Sequence, residues 1–236
     1  CHRDSTALNP ESKLYAYEAG VRAVTDHFKR LGIPVRVERA PGYGLYHTHY
    51  EFEEQPLVSV IIPNKDHVED LNRCLRSVMK TSGYPNLEFV IVENNSTEKE
   101  TFEYYEMIQE NYPSVRVVTW EGEFNYSALN NFGVSHARGD YLLLLNNDTQ
   151  MIGEETFSEL LQPCMREDIG CVGAKLLFED HTIQHAGIVL GIGKDRVAGH
   201  VFYGLSNGEL VYQSPREYSA VTAACMMVKR SVYEEV

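Results

Sequence analysis

The sequence predicts an α/β protein: a Rossmann-like, mostly parallel sheet flanked by helices, with a small helical and extended appendage at its N-terminus. Three observations carry this. Strand-like and helix-like stretches alternate four times over about ninety residues, the signature of βαβ units with right-handed crossovers. The strand-like stretches are unbroken apolar runs, as expected of strands covered on both faces. Each ends in polar or charged residues, and in such sheets ligands bind outside the carboxyl ends of the strands.

The elements follow in chain order. Residues 1–32 read as an extended start and then a helix, with capping chemistry at Asn9-Pro10-Glu11-Ser12 and Leu14, Ala16, Tyr17, Val21, Val24 and Phe28 at roughly helical spacing. Gly32 and Pro34 stop it. Short β-like stretches follow at Val35–Glu38 and Gly44–Tyr50, and Glu51–Pro56 reads as an acidic linker. This divides the chain into an appendage, 1–56, and a main domain, 57–236. Leu57-Val-Ser-Val-Ile-Ile-Pro63 is the first buried strand, closed by its proline. Val68–Lys80 is an amphipathic helix whose Leu71, Leu75 and Val78 share a face. Phe89–Val92 is a second strand, Thr97–Asn111 a second helix, Val115–Thr119 a third strand, Ser127–Ala137 a third helix and Tyr141–Leu145 a fourth strand.

Composition excludes several classes. With 43% hydrophobic and 23% charged residues the chain is globular rather than disordered. Its net charge of −13 repels a polyanion and no basic cluster offsets it, so no nucleic-acid surface is expected. The longest apolar run, Tyr141–Leu145, is far too short to span a membrane, and no signal peptide is present. The five cysteines are scattered and form no CxxC pair, which leaves zinc without support there and points to buried, reduced thiols in a cytosolic setting. The chain starts at Cys1 without a methionine and stops inside a helix-like Arg230–Val236 stretch, so it reads as a piece of a longer protein.

The four strand ends are Asn64-Lys65-Asp66, Glu93-Asn94-Asn95-Ser96, Glu121–Tyr126 and Asn146-Asn147-Asp148. In the last of these, one carboxylate stands beside a hydrophobic sheet, where it should meet a cation or backbone donors. Hard oxygen ligands at such a point suit Mg²⁺ or Mn²⁺, which share their shell with phosphates and water. An Asn-Asp turn capping the next helix would use the same residues. Glu93 to Ser96 can read a base edge or ribose hydroxyls, or can form a strand-to-helix connection with Ser96 or Thr97 as N-cap. Asp66 has the same two readings, with capping of the helix that follows it as the second. Tyr126, Ser127, Asn130 and Asn131 open a helix whose N–H groups can meet phosphate, or simply cap it.

Other machinery is missing from the sequence. There is no P-loop and no GxSxG elbow, and Gly187–Gly193 lacks the spacing of a dinucleotide fingerprint. His181, His185 and His200 cluster in sequence; such histidines are more often structural than ligands, with metal binding by one of them as the second reading.

Taken together, Val58–Pro63, Val90-Ile-Val-Glu-Asn-Asn-Ser-Thr97, Asn125-Tyr-Ser-Ala-Leu-Asn-Asn-Phe-Gly133, Ala137-Arg-Gly-Asp-Tyr141 and Leu144-Leu-Asn-Asn-Asp148 resemble the family 2 glycosyltransferases, which have the nucleotide-diphospho-sugar transferase (GT-A) fold. Val172–Leu177, Gln184–Gly191, Ala198-Gly-His200 and Thr222–Arg230 extend the match and look most like the subgroup that builds O-antigen, rhamnan and other surface polysaccharides.

The resemblance implies an inverting, metal-dependent hexosyltransferase using a nucleotide-diphospho-sugar donor and a glycan or lipid-linked glycan acceptor. By resemblance Pro63, Asn64, Asp66, Glu93, Asn94 and Ser96 line the nucleotide pocket, with Ser127 and Asn130 near the ribose or diphosphate. Asp148 matches the last acid of the family's DxD motif and would hold Mg²⁺ or Mn²⁺ beside Asn147, with Asn146 and His200 as weaker metal candidates. The chain departs from the family where Asn146 stands for the first DxD acid, where Glu93-Asn94 stands for Asp-Asp, and where Thr222-Ala223-Ala224 stands for Thr-Gly-Ala.

The family's general base lies in a later Glu-Asp motif, so it is expected beyond Val236, and this chain is expected to bind donor but transfer poorly. His2–Thr6 and Tyr15–Gly20 resemble the tail of a preceding domain in tandem enzymes, implying a tandem transferase partner. A cytoplasmic place, peripheral at the inner face of the membrane, follows from lipid-linked acceptors. The rival readings are an inactive transferase-like scaffold and a sugar nucleotidyltransferase. The latter would need a Gly-rich basic loop where Pro63-Asn-Lys-Asp66 stands.

Overall fold

The computed structural model describes residues 14–40, 44–192, 197–208 and 214–236. The features read at His2–Thr6 and Asn9–Ser12, Cys1 and Gly193 lie outside them.

The first helix, α1 (Leu14–Leu31), is followed by β1 (Val35–Arg39) and β2 (Tyr46–Tyr50), which pair antiparallel as a separate hairpin. One face of the hairpin packs on α1. Phe28 meets Tyr50 edge-on at 5.8 Å between ring centres, and a Cβ on Gly20 would lie 1.7 Å from the Tyr46 hydroxyl, so only glycine lets that ring approach.

Then come β3 (Val58–Asn64), α2 (Val68–Thr81), β4 (Leu87–Glu93), α3 (Lys99–Asn111), β5 (Val115–Thr119), α4 (Tyr126–His136) and β6 (Tyr141–Leu145). These are the expected βα repeats, with ends shifted by a residue or two. Beyond them lie α5 (Thr156–Cys164), β7 (Cys171–Gly173), the short strands β8 (Leu176–Leu177), β9 (Ile183–His185), β10 (Ile188–Leu190) and β11 (Ala198–His200), then β12 (Cys225–Lys229) and α6 (Arg230–Glu235).

The main sheet has the order β5-β4-β3-β6-β12-β7. Its four strands β5, β4, β3 and β6 are parallel; β12 joins β6 antiparallel, and β7 joins β12 antiparallel and so runs the same way as the four. The strands β3, β4 and β5 step outward one way, and β6 then returns to the other side of β3. Strand order therefore reverses between β3 and β6. Pro63 fits inside β3 because pairing with β6 ends at Ile61 while pairing with β4 continues to Asn64, so the missing N–H falls where β6 has already stopped.

The period-2 alternation of the strands feeds two cores. Val58, Val60, Ile62, Phe89, Ile91, Leu143 and Leu145 pack with α2, α3 and α5 on one face. Ile61, Val90, Val92, Leu142, Leu144 and Val228 pack with α4 on the other. Both faces are covered, which is why the strands read as continuous apolar runs.

Ala137–Tyr141, part of the family-like text, is structural and belongs to the amino-terminal edge of the sheet. There Glu88 is buried, accepting from the Ser59 hydroxyl (2.6 Å), the Arg138 backbone N–H (2.5 Å) and the Arg138 guanidinium (2.8 Å). Burial alone would raise this carboxyl, but these donors hold it below its ordinary value. A Cβ on Gly139 would lie 2.6 Å from the Leu57 carbonyl. Cys74, Cys164 and Cys225 are buried free thiols as expected; Cys171 is exposed, because it starts the edge strand β7.

Candidate functional site

The reversal of strand order places the ends of β3 and β6 side by side, which is where doubly wound sheets open a ligand crevice. Asn64 closes β3 and is buried. Its side-chain amide donates to the Asp66 carbonyl (2.9 Å) and to the Tyr105 hydroxyl (2.8 Å), while its side-chain oxygen accepts from the Asn147 amide (2.7 Å). Its backbone carbonyl accepts from Asn94 N–H at 2.9 Å. One residue thus ties together the ends of β3, β4 and β6.

Asn146, Asn147 and Asp148 form a turn, with Thr149 N–H donating to the Asn146 carbonyl at 3.2 Å. They do not cap a helix: α5 begins only at Thr156, with Glu155 as its N-cap. Asn146 N–H donates to Ala224 at 2.9 Å, pinning the turn to the start of β12. Asp148 is exposed and Asn147 half-buried. The Cys74 thiol below donates to the Asn146 carbonyl at 3.5 Å; burial pushes it well up, with Cys225 and Asp148 adding to the shift. It stays a neutral thiol.

Two capping expectations are corrected. Neither Ser96 nor Thr97 caps α3; its N-cap is Glu98, without a side-chain bond. Nor does Asp66 cap the helix it precedes, since α2 starts after His67. Instead the Asp66 carboxylate crosses to α3 and accepts from the N–H groups of Thr97 (2.9 Å) and Glu98 (3.0 Å). The Glu98 N–H chiefly holds this carboxyl below its usual range. The geometry needs a left-handed backbone at Asp66 and His67, each at φ 52°.

Glu93 is buried at the end of β4. One oxygen accepts from Ser96 N–H (2.6 Å), the other from the Ser96 hydroxyl (2.6 Å) and the Tyr105 hydroxyl (2.6 Å). Asn94, also buried, donates to the carbonyls of Trp120 (3.2 Å) and Gly122 (3.0 Å), so it shapes the loop after β5. Tyr105, from the buried face of α3, joins Asn64 to Glu93. Nothing local in the sequence marks it, because an aromatic at helical spacing looks like core until its hydroxyl is placed.

At the start of α4, Asn125 accepts from Ala128 N–H at 3.0 Å and is the cap. Ser127 is exposed in the first turn. Asn130 is buried and donates to the Tyr126 carbonyl at 2.8 Å, while its side-chain oxygen has no partner. A buried acceptor without a donor is the kind of atom a ligand group satisfies. The Tyr126 hydroxyl reaches the Ala223 carbonyl at 2.9 Å, so α4 and Thr222–Ala224 meet at the same rim.

His200 instead faces His185, with 3.0 Å between their Nδ1 atoms, and His185 lies 3.4 Å from Thr222 N–H. Burial, then His200, push the His185 imidazole down to about 4, so it is neutral near pH 7. Among the described residues, no close group of three or more His, Cys, Asp or Glu ligand atoms includes Asp148 or His200. Asp148 with flanking amides is therefore no closed cage. It fits a hard divalent ion that takes one or two protein carboxylates and completes its shell with water and phosphate.

Over residues 59–236 the chain matches the family described as "Glycosyl transferase family 2". It is 36% identical over 226 residues to the "O-antigen biosynthesis protein RfbC" of Myxococcus xanthus, covering 94% of this chain and 17% of that protein, so it spans about a sixth of that relative. Two solved structures share the fold. One is "Mannosyltransferase PcManGT from Pyrobaculum calidifontis in complex with GDP-Man and Mn2+", at TM-score 0.54 and 16% identity over 96% of this chain and 56% of that one. The other is "GalNAc-T7 with UDP, GalNAc and Mn2+", at TM-score 0.62 and 18% identity over 80% of this chain and 37% of that one.

Proposed function

The chain belongs to glycosyl transferase family 2, and from that premise we propose that it carries the donor site of an inverting, metal-dependent hexosyltransferase that extends a surface glycan. The observation that carries this is the placement of Asp148 where strand order reverses, beside the Asn147–Asn64 bridge. Asp148 would hold a divalent ion, Mg²⁺ or Mn²⁺. Such an ion supplies Lewis-acid stabilisation of the charge on a departing nucleoside diphosphate. Asn64, Asn94 and Ser96 set the shape of the nucleotide pocket, with Asp66 and Glu93 fixing its walls through α3. Ser127 and the unpartnered oxygen of Asn130 would meet ribose or diphosphate. The solved neighbours carry Mn²⁺ with GDP-mannose in one and with UDP in the other, which supports this class of ligand without choosing the base.

The reaction is a single displacement. An acceptor hydroxyl, once a general base has taken its proton, attacks the anomeric carbon and the nucleoside diphosphate leaves with its bonding electrons. The relative's name supports O-antigen biosynthesis as the setting; a lipid-linked glycan acceptor at the inner face of the membrane is our reading of that setting. Among the described residues no helix is long and apolar enough to cross a membrane.

A second reading rests on Glu93, whose two oxygens are committed to Ser96 and Tyr105, and on the uncharged Asn146. Both fit a domain that only supports a tandem catalytic partner. Calorimetric titration of GDP, UDP and dTDP with Mn²⁺ or Mg²⁺ separates the two. Metal-dependent binding, weakened by about tenfold (~1.4 kcal/mol) or more in Asp148→Ala, is expected. Absence of nucleotide binding with either metal would favour the scaffold. Unchanged binding in Asp148→Ala would remove the ion from that residue.

A further inference from the structure

The β1–β2 hairpin has a second face, turned away from α1, that the donor site does not use. Cross-strand register puts Glu38 opposite His47 and Arg36 opposite His49, and residues two apart on a strand share a face. Glu38, His47 and His49 therefore project together. Glu159 of α5 comes up to meet them. Its two oxygens lie 3.0 Å from His47 Nε2 and 3.2 Å from His49 Nδ1, while Glu38 lies 3.0 Å from His49 Nε2.

The two imidazole rings are 4.0 Å apart between centres. One ligand atom each from Glu38, His47 and His49 lies within 4.8 Å of the others, and the same holds for His49, Glu155 and Glu159. The His49 side chain is only 11% exposed. A cleft of about 40 Å³ adjoins the cluster, lined in part by His49, Ser158, Glu159 and Gln162, which is room for a water or an ion.

A neutral imidazole has one N–H, yet His49 has a carboxylate oxygen against each ring nitrogen. Glu38, His47 and His49 offer two imidazoles and a carboxylate within reach of one point, and a cation bound there leaves the other ring nitrogen of His49 as the N–H that Glu159 accepts. We propose that Glu38, His47 and His49 form a second divalent-metal site, for Zn²⁺ or a similar imidazole-preferring ion, with Glu159 accepting from the outward ring nitrogens and orienting the two imidazoles, distinct from the oxygen-ligand site at Asp148. Mixed nitrogen and oxygen ligands suit zinc, whereas Mg²⁺ and Mn²⁺ favour carboxylate, carbonyl and water.

The ligands come from β1 and β2, and their imidazoles hold Glu159 of α5, which packs against the main sheet. The ion would clamp the hairpin, and α1 with it, onto the transferase fold. Two hydrogen bonds already hold the elements in register: Phe52 N–H donates to Gln162 at 2.8 Å, and the Arg166 guanidinium donates to the Tyr50 hydroxyl at 2.5 Å.

The test is calorimetric titration of Zn²⁺ alone into chelator-stripped protein, with Co²⁺ absorption as a coordination probe. One Zn²⁺ per chain is expected, with imidazole-type Co²⁺ bands and a raised melting temperature. Affinity should fall roughly tenfold to a hundredfold in His49→Ala and in Glu38→Gln, by analogy with losses at other metal sites, and should persist in Asp148→Ala. Glu38 is half exposed, so Glu38→Gln keeps its fold, checked by circular dichroism, where His49→Ala could disturb packing. No Zn²⁺ binding, binding unmoved by Glu38→Gln, or binding lost in Asp148→Ala overturns the proposal. Nucleotide binding with Mn²⁺ should be unchanged in Glu38→Gln, so this test and that of the donor site succeed or fail separately.

Discussion

At the scale of single residues, the strand ends act as a hydrogen-bonded frame before they act on any ligand. Asp66 shows this best, because its carboxylate holds the approach and N-cap of a helix that starts more than thirty positions later. Asp66→Ala should cost about 1 kcal/mol, as for loss of a helix cap, read from urea denaturation at neutral pH. The sign with pH follows from the lowered folded-state pKa. The stabilisation is fully present above the unfolded value of about 3.9 and is lost as pH falls through the lower folded value. The stability gap between parent and Asp66→Asn should therefore be constant near neutrality and close on acidification; a gap that widens in acid contradicts it. Glu88→Gln, which sets an amide NH₂ where a buried carboxylate oxygen accepts from the largely exposed Arg138, should cost about 1–3 kcal/mol. The residue types at the site were legible in the sequence, since each follows an apolar run. Their partners were not. Asp66 with α3, Asn64 with Asn147 and Tyr105 with Glu93 depend on tertiary register, which no local pattern encodes.

At the scale of elements, close approach explains the glycine in Asn125–Gly133. A Cβ on Gly133 would lie 2.5 Å from Ile61 and 2.8 Å from Val92, so α4 lies flat on β3 and β4 only with glycine there. Gly133→Ala should destabilise by about 1–3 kcal/mol through overpacking and tilt the α4 rim, weakening nucleotide binding in parallel with the drop in melting temperature. The parallel βα repeats were readable because long apolar and amphipathic periods dominate them. Of the elements after β6 only the closing helix was, in the helix-like Arg230–Val236 stretch. The helix α5 is nine residues long, has Pro163 inside and lacks a side-chain cap, and β7 to β11 have two or three residues each. Such segments are held by their neighbours rather than by their own propensity. The His47-Thr-His49 pattern was visible too, but meant nothing until α5 brought Glu159 to it.

At the scale of the whole molecule, a net charge of −13 means that an anionic donor is attracted by local chemistry rather than by the overall field. Ligand and ion should therefore stabilise the fold jointly. At a hundredfold excess over Kd, a bound nucleoside diphosphate with Mn²⁺ adds about 2.7 kcal/mol, or roughly 5–10 °C in melting temperature for a chain of this size. Nucleotide with a chelator should give almost no shift, and differential scanning fluorimetry reads both.

The position of β6 between β3 and β12 also bears on how the chain is made. Tyr141–Leu145 leaves the ribosome with one side free to join β3, but the strand that covers its other side, Cys225–Lys229, is still untranslated. About eighty residues at ~5–20 residues per second leave this leucine-rich edge open for roughly 4–16 s. An uncovered apolar edge is a template for pairing with other chains. Chains stopped at residue 220 should therefore sediment as aggregates or stay bound to chaperones, while chains carried through β12 release as monomeric folded domains. Synthesis itself would then be the most hazardous moment in the life of this sheet.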